Sequence, residues 1–269
     1  MRTGLLTLLL VVGFTALWPH AQTPSPAALT GQITSNEEGP MEGVLVSAKR
    51  EGATITTTVV SDDQGRYRFP AAKLQPGRYS LRIRAVGYDL EGPGTVDVVS
   101  SRATTADLKL TKARDVAAQL SNTEWLLSFP GTEQEKASIR ACTHCHTLER
   151  VARSNHDVEK LTSVIQRMST YPQLSFPFKI QKLVAARIGG GEEPLEQRTE
   201  GWRRQARYLS TLNLGATPHW TYPFTTLPRP KGRATRVIYT EYDLPQRSRQ
   251  PHDVIVDSDG MAWYASFGE

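Results

Sequence analysis

The chain has 269 residues, which at roughly 100–200 residues per domain suggests about two domains. With 39% hydrophobic and 22% charged residues, 20 glycines and 17 prolines, it is neither a fully disordered chain, a polytopic membrane protein nor a collagen-like fibre. Lys and Arg number 32 against 27 Asp and Glu, a net charge of +5, but they are scattered along the chain. This charge indicates no nucleic-acid partner and at most an acidic protein partner.

The N-terminus has the pattern of an export signal. Arg2 precedes an apolar stretch over 5–17, which is shorter than the ~20 residues that span a bilayer, and the small residue Ala21 follows. We predict a signal peptide over 1–21, with a short membrane anchor as the alternative. The mature chain would then be exported, to the periplasm or outside the cell, without a transmembrane span.

Residues 27–110 have the pattern of an all-β sandwich. The run 78–85 shows it best, since Tyr79, Leu81 and Ile83 fall on one face and polar side chains on the other. We interpret the turn at 62–65 as a solvated hairpin turn, with cation binding by Asp62 and Asp63 as the alternative. About seven short β-type runs alternate with turns, at 30–34, 43–48, 55–61, 66–69, 78–85, 94–99 and 106–110.

This stretch resembles the carboxypeptidase regulatory-like domain. The resemblance is carried, in order, by residues 43–46, 63–69, 76–81 and the pair Gly87-Tyr88. It implies an accessory module without a peptidase site, and no His/Glu metal arrangement occurs between 27 and 110. We expect a docking or spacer module, with carbohydrate or cell-envelope contact as the alternative.

From about Asp115 to about Leu214 the pattern becomes helical. Thr132 and Glu135 have the spacing of a capping box, and the helix that they begin leads into the run Cys142-Thr143-His144-Cys145-His146. Cys-x-x-Cys-His is the attachment signature of c-type haem. Two thiols three positions apart on a helical turn reach two vinyl groups on one porphyrin edge, and the following His reaches the iron. We predict that Cys142 and Cys145 bind one covalent haem c and that His146 is its proximal iron ligand.

Three other interpretations of this motif stay open. A thioredoxin-like dithiol also uses Cys-x-x-Cys, but after a strand rather than a helix. A zinc site could use Cys142, Cys145, His144 and His146, although four ligands within five residues cannot easily surround one ion. A structural disulfide would close a very short, strained loop.

The segment 115–214 as a whole resembles a small all-α cytochrome c. Its last helix places Trp202, Ala206 and Leu209 on one face, as in the terminal helix that packs across the first helix of cytochromes. Met168 is the candidate distal iron ligand, at the end of an apolar stripe over 158–168. The alternatives are His156, an open sixth position, or a Met168 that only packs in the core.

Beyond this domain we expect a Pro-rich linker over 215–232 and β-strands over 233–269. The strong hairpin signal Asp259-Gly260 lies in the second part, and we prefer a turn there to a calcium loop. The run 251–263 resembles the opening blade of a virginiamycin B lyase-like propeller. One blade cannot bury its own faces, so we expect 233–269 to be the first blade of a truncated propeller.

The main hypothesis is therefore an exported, multidomain c-type cytochrome that carries single electrons to or from a redox partner or the propeller of a longer protein. The chain holds no complete catalytic site that we can identify. The alternatives are a lyase-like or dehydrogenase enzyme whose active site lies in the missing propeller, and a carbohydrate- or envelope-binding module.

Overall fold

A computed structural model describes residues 26–171, 195–216, 223–246 and 251–266 of the chain. The predicted signal peptide over 1–21 lies outside these residues. The described strands, in chain order, are β1 (Ala27–Ser35), β2 (Gly39–Pro40), β3 (Leu45–Arg50), β4 (Ile55–Val60), β5 (Arg66–Pro70), β6 (Gly77–Arg84), β7 (Tyr88–Gly92), β8 (Thr95–Val98), β9 (Thr104–Thr105), β10 (Leu108–Lys112), β11 (Ile238–Tyr242), β12 (Pro251–Val256) and β13 (Ala262–Ser266).

Strands β1 to β10 form the predicted sandwich of two layers. One sheet is built around β1, whose first half pairs with β5 and β9 and whose second half pairs with β2 and β10, and β7 continues it beyond β10. The other sheet has the order β11-β4-β3-β6-β8. Alternate side chains of both sheets meet between the layers, as the alternation in β6 predicts, and Tyr79 and Leu81 are buried there.

Two details of the sandwich differ from the expectation. The turn after β4 does not close a hairpin, because β4 and β5 lie in different sheets and the turn carries the chain from one layer to the other. Strand β7, like the two-residue strands β2 and β9, was not predicted: its residues are only half-buried on one side, and it lies between Gly87 and Pro93. Its pairing with β10 is what makes it a strand.

Five described α-helices follow: α1 (Asn122–Ser128), α2 (Glu133–Ser138), α3 (Glu149–Ala152), α4 (Val158–Met168) and α5 (Leu195–Thr211). The predicted capping box at the start of α2 is present, since Glu135 N donates to Thr132 Oγ1 and Thr132 N donates to Glu135 Oε2. Helix α5 packs mainly against α4 and also touches α2. Among the described residues no helix is long and apolar enough to cross a membrane.

The helices surround a second hydrophobic core. Ala206 and Leu209 of α5 are buried in it, whereas Trp202 on the same face is half-buried. Its buried members are Ala117, Leu120, Trp125, Phe129, Ile139, Leu148, Ala152, Leu161, Ala206, Tyr208, Leu209 and Leu212.

The chain after the helices returns to the sandwich. Strand β11 lies where a strand was predicted, but it pairs antiparallel with β4, with Ile238 opposite Val59 and Tyr242 opposite Ile55. It therefore belongs to a sandwich sheet, and only β12 and β13 form a separate antiparallel hairpin, around the predicted Asp259-Gly260 turn. The expected first blade over 233–269 is thus divided between two sheets, because β4 offered β11 an open edge.

Candidate cofactor site

The Cys-x-x-Cys-His motif lies in a short loop that the helical core fixes at both ends. A 3-10 helix over Arg140–His144 follows α2 and carries Cys142. Ile139 just before it and Leu148 just after it are fully buried. Leu148 N also donates to Asn122 Oδ1 of α1 at 2.8 Å. The motif is therefore held against α1 and α2 rather than in an unattached loop.

The two thiols lie on one turn of backbone. Cys142 N donates to Ile139 O at 3.0 Å, and Cys145 N and His146 N approach Cys142 O at 3.5 and 3.4 Å. Both cysteines are half-buried and free, so they form no disulfide with each other. Cys142 packs against the helical core, and burial raises the pKa of its thiol. Both sulfur atoms remain available for a covalent partner.

His146 is oriented by its own neighbourhood, and His144 is not. His146 Nδ1 lies 3.0 Å from Thr147 O, and because a carbonyl only accepts, this contact is a hydrogen bond in the tautomer whose Nδ1 carries the proton. This tautomer leaves the Nε2 lone pair free for a metal ion, which is the usual arrangement of a ligating histidine. His144 is exposed. Of the two histidines in the motif, His146 is the one whose Nδ1 contacts a backbone carbonyl.

The candidate distal ligands lie outside the motif. Met168 is the last residue of α4 and is 38% exposed, whereas Leu161 on the same stripe is buried. Met168 is therefore not shielded as a core residue is. His156 is half-buried just before the N-cap of α4, and Asn213 Nδ2 donates to its carbonyl at 2.6 Å. Residues 172–194, which follow α4, lie outside the described residues.

The structure bears on the competing interpretations of the motif. A helix, α2, precedes it, whereas a thioredoxin-like site follows a strand. Within the described ranges no group of three or more His, Cys, Asp or Glu side chains is placed to bind a metal ion, so the four-ligand zinc arrangement is not formed there. A covalent haem needs only two thiols and one imidazole from this motif, and the residues present fit that group.

The acidic side chains of the two turns accept hydrogen bonds from residues of the same turn. Asp62 Oδ1 accepts from Gln64 N at 3.0 Å and from Arg66 N at 2.8 Å, and Asp62 Oδ2 pairs with Arg66 Nε at 3.1 Å. Asp257 similarly accepts from Met261 N at 2.9 Å and from Trp263 Nε1 at 2.7 Å. These contacts satisfy the carboxylates within each turn and agree with the interpretation of both segments as turns.

Glu124 is a buried charged residue that the sequence pattern does not single out. Its side chain is 1% exposed and accepts from Ser121 N at 2.8 Å and from Leu227 N at 3.0 Å, and it pairs with Arg84 Nη2 at 3.3 Å. Burial alone would raise the pKa of Glu124, but these hydrogen bonds and the Arg84 charge hold it below its ordinary value. The spacing of Ser121 and Glu124 matches a capping box and could have indicated the start of α1.

Comparison with known proteins identifies part of the chain. A search of curated proteins gives no match. Among solved structures, the Bacillus anthracis TIE protein is 18% identical over 33% of this chain and 17% of its own, with a TM-score of 0.27. Klebsiella pneumoniae 5-hydroxyisourate hydrolase is 24% identical over 32% of this chain and 98% of its own, with a TM-score of 0.22. The chain thus spans under a fifth of the first of these structures, and similarity this low establishes no shared fold. Residues 28–111, however, match the family described as the carboxypeptidase regulatory-like domain, and this part of the chain is such a domain.

Proposed function

We propose that the helical domain over 115–214 binds one haem c and carries single electrons. Cys142 and Cys145 would attach the haem covalently, and His146 would be its proximal iron ligand. The observation that carries this proposal is the orientation of His146 by Thr147 O, next to two free thiols on the same turn. If the motif formed a disulfide or only carried a surface histidine, neither the two free thiols nor the contact of His146 with Thr147 O would be required.

Each residue of the motif has a separate task in this proposal. Cys142, which packs against the helical core, anchors one side of the haem to the fold. His146 presents Nε2 because Nδ1 is occupied by the Thr147 carbonyl. When bound, haem c supplies a one-electron iron couple. The buried residues Ile139 and Leu148 at the two ends of the motif keep its backbone in place during electron transfer.

Met168 is our proposal for the distal ligand. A thioether ligand raises the reduction potential of a haem and suits electron transfer. Its partial exposure at the end of α4 supports this assignment over a purely packing role. His156 remains the second candidate for the same position.

The other parts of the chain would serve this electron transfer. We propose that the signal over 1–21 directs export, since c-type haem is attached outside the bacterial cytoplasm. The sandwich would act as a docking or spacer module, and the net charge of +5 suits an acidic redox partner.

Haem attachment is testable in protein produced with the haem-attachment machinery. We expect the intact mass to exceed that of the bare mature chain by one haem and a pyridine haemochrome spectrum typical of two thioether bonds. Cys142→Ala should leave only one thioether bond. A mass equal to the bare mature chain would refute the proposal.

The two histidines of the motif provide a matched pair of variants. His146→Ala should change the absorption spectrum through loss of the proximal ligand, while His144→Ala should leave the spectrum unchanged because His144 is exposed. Met168→Ala should change the ferric spectrum and lower the reduction potential. An unchanged spectrum in Met168→Ala would reject Met168 as the distal ligand.

A further inference from the structure

The segment 223–243, here called the strap, spans the end of the expected linker (215–232) and the start of the expected blade (233–269), yet it contacts both domains along its described length. It leaves the helical domain, crosses to the sandwich and ends as strand β11. Its contacts with the helical domain come first along the chain, and its contacts with the sandwich come last. The strap therefore joins the two domains at a place distant in sequence from the direct connection between β10 and α1.

The first part of the strap is attached to α1. The Phe224 ring packs on Trp125, edge to face, with 6.1 Å between ring centroids. Thr225 N donates to Ser128 Oγ at 2.8 Å, and Leu227 N donates to Glu124 Oε1 at 3.0 Å. Three successive attachments on one face of α1 fix the strap to the helical core.

The middle of the strap lies against the turns of the sandwich. Arg229 forms an ion pair with Glu38, and Gly232 N donates to Glu42 Oε1 at 2.7 Å. The backbone of Pro230 approaches so closely that a Cβ on Gly43 would lie 2.2 Å from Pro230 O. This close approach requires a glycine at position 43.

The last part of the strap completes a sheet of the sandwich. The five residues of β11 pair in register with β4, and Asp243 N donates to Thr54 O at 2.7 Å just beyond them. Lys49 Nζ lies 2.5 Å from Asp243 Oδ2. An edge strand gains its order from main-chain pairing, so β11 protects the otherwise open edge of β4.

We propose that the strap is a conformational clamp that couples the stability of the sandwich edge to that of the helical domain. Opening either end of the strap weakens the other end, because each set of contacts restricts the chain and so lowers the entropy cost of forming the next set along it. Loosening α1 would then expose β4, and removing β11 would loosen α1. This inference does not depend on haem binding.

Hydrogen exchange of the full chain, read peptide by peptide by mass spectrometry, tests the clamp from both ends. Phe224→Ala perturbs the helical end, and we expect the amides of β4 (Ile55–Val60) to exchange at least about fivefold faster. Glu241→Pro perturbs the sheet end. Asp243 N donates to Thr54 O, so the amide of Glu241, two residues earlier, also faces β4, and proline cannot donate there. We expect a similar acceleration in α1 (Asn122–Ser128). Acceleration limited to the side of each substitution would overturn the proposal.

Two control variants and one reference strand separate the clamp from general destabilisation. Leu227→Ala truncates a strap side chain that is 48% exposed, and Ile255→Pro places a proline in the separate hairpin, so neither should change exchange at the opposite end. The reference strand is β6, which lies in the same sheet as β4 and contacts the helical domain directly, Arg84 Nη2 to Glu124 Oε2 at 3.3 Å and Arg84 Nη1 to Gln119 O at 3.1 Å. If Phe224→Ala accelerates β6 as much as β4, the coupling runs through that direct contact and the clamp is refuted. If Glu241→Pro does not fold, Phe224→Ala alone decides.

Discussion

Replacing Glu124 by glutamine tests how the helical domain is fixed to the sandwich and the strap. All four groups around the carboxylate are donors: Ser121 N and Ser121 Oγ at 2.8 Å, Leu227 N at 3.0 Å and Arg84 Nη2 at 3.3 Å. A glutamine offers one acceptor oxygen and one NH2 group. If its oxygen faces Ser121, its NH2 group faces the amide of Leu227, and two donors then oppose each other in a buried position.

The expected cost follows from these contacts. An unsatisfied buried donor costs about 1–3 kcal/mol, and the remaining hydrogen bonds also lose the strength that the charge gave them. The ion pair with Arg84 adds little, because the Arg84 side chain is 51% exposed. We therefore expect Glu124→Gln to lower the free energy of unfolding by about 2–4 kcal/mol.

Urea denaturation followed by tryptophan fluorescence measures this change as a shift of the midpoint at constant m-value. Glu135→Gln is the matched control, since Glu135 forms the same capping box with Thr132 but is exposed and glutamine also suits this position. We expect it to cost less than about 0.5 kcal/mol. Equal effects of the two substitutions would show that Glu124 acts only as a helix cap and that its tertiary contacts add no stability.

Three further outcomes are expected. The pKa of Glu124 lies below the ordinary 4.5, so its carboxylate stabilises the fold above pH 4.5 and loses this effect as the pH falls through the lowered pKa. Urea midpoints measured from neutral to acid pH should therefore fall on acidification. The fall should be less steep in Glu124→Gln. Gly43→Ala should lower the free energy of unfolding by at least about 2 kcal/mol, since φ is +79° and the added Cβ would lie 2.2 Å from Pro230 O. Gly39→Ala, with φ +68° and open space around the Cβ, should lower it only by the cost of the left-handed backbone conformation, about 1 kcal/mol. Equal losses of stability in thermal unfolding would argue against the close contact at Gly43. Phe69→Ala removes a fully buried ring from the sandwich core and should cost about 3–5 kcal/mol in the same assay, and a cost below about 1 kcal/mol would contradict the packing described.

Local features of this protein could be predicted from its sequence. The capping box of Thr132 and Glu135 needs only residues within one turn of each other, and it formed as expected. Strand β6 alternates over 78–85 in the sequence, and its Tyr79 and Leu81 point into the core. The spacing of Cys142 and Cys145 likewise places both thiols on one turn whatever the rest of the chain does. In each case the determining interactions lie within a few residues.

The features missed from the sequence depend on contacts between distant residues. Glu124 combines a local cap with Arg84 and Leu227, and nothing around position 124 indicates those partners. The proline-containing segment before β11 reads as a linker because its contacts are made mostly by backbone amides, which all residue types except proline possess. The residue pattern of this segment therefore gives little indication that it attaches to α1 and to the turns of the sandwich.

The sequence by itself determined the strand periodicity of the carboxypeptidase regulatory-like domain, the helical segment and the Cys-x-x-Cys-His motif, because periodicity and motif spacing are properties of neighbouring residues. Only the tertiary structure decided that β11 completes a sandwich sheet. An isolated strand pattern such as 238–242 fits any open edge, and the edge that it joins depends on where the helical domain brings the chain back. That position is set by the packing of Phe224 and the amide of Leu227 on α1.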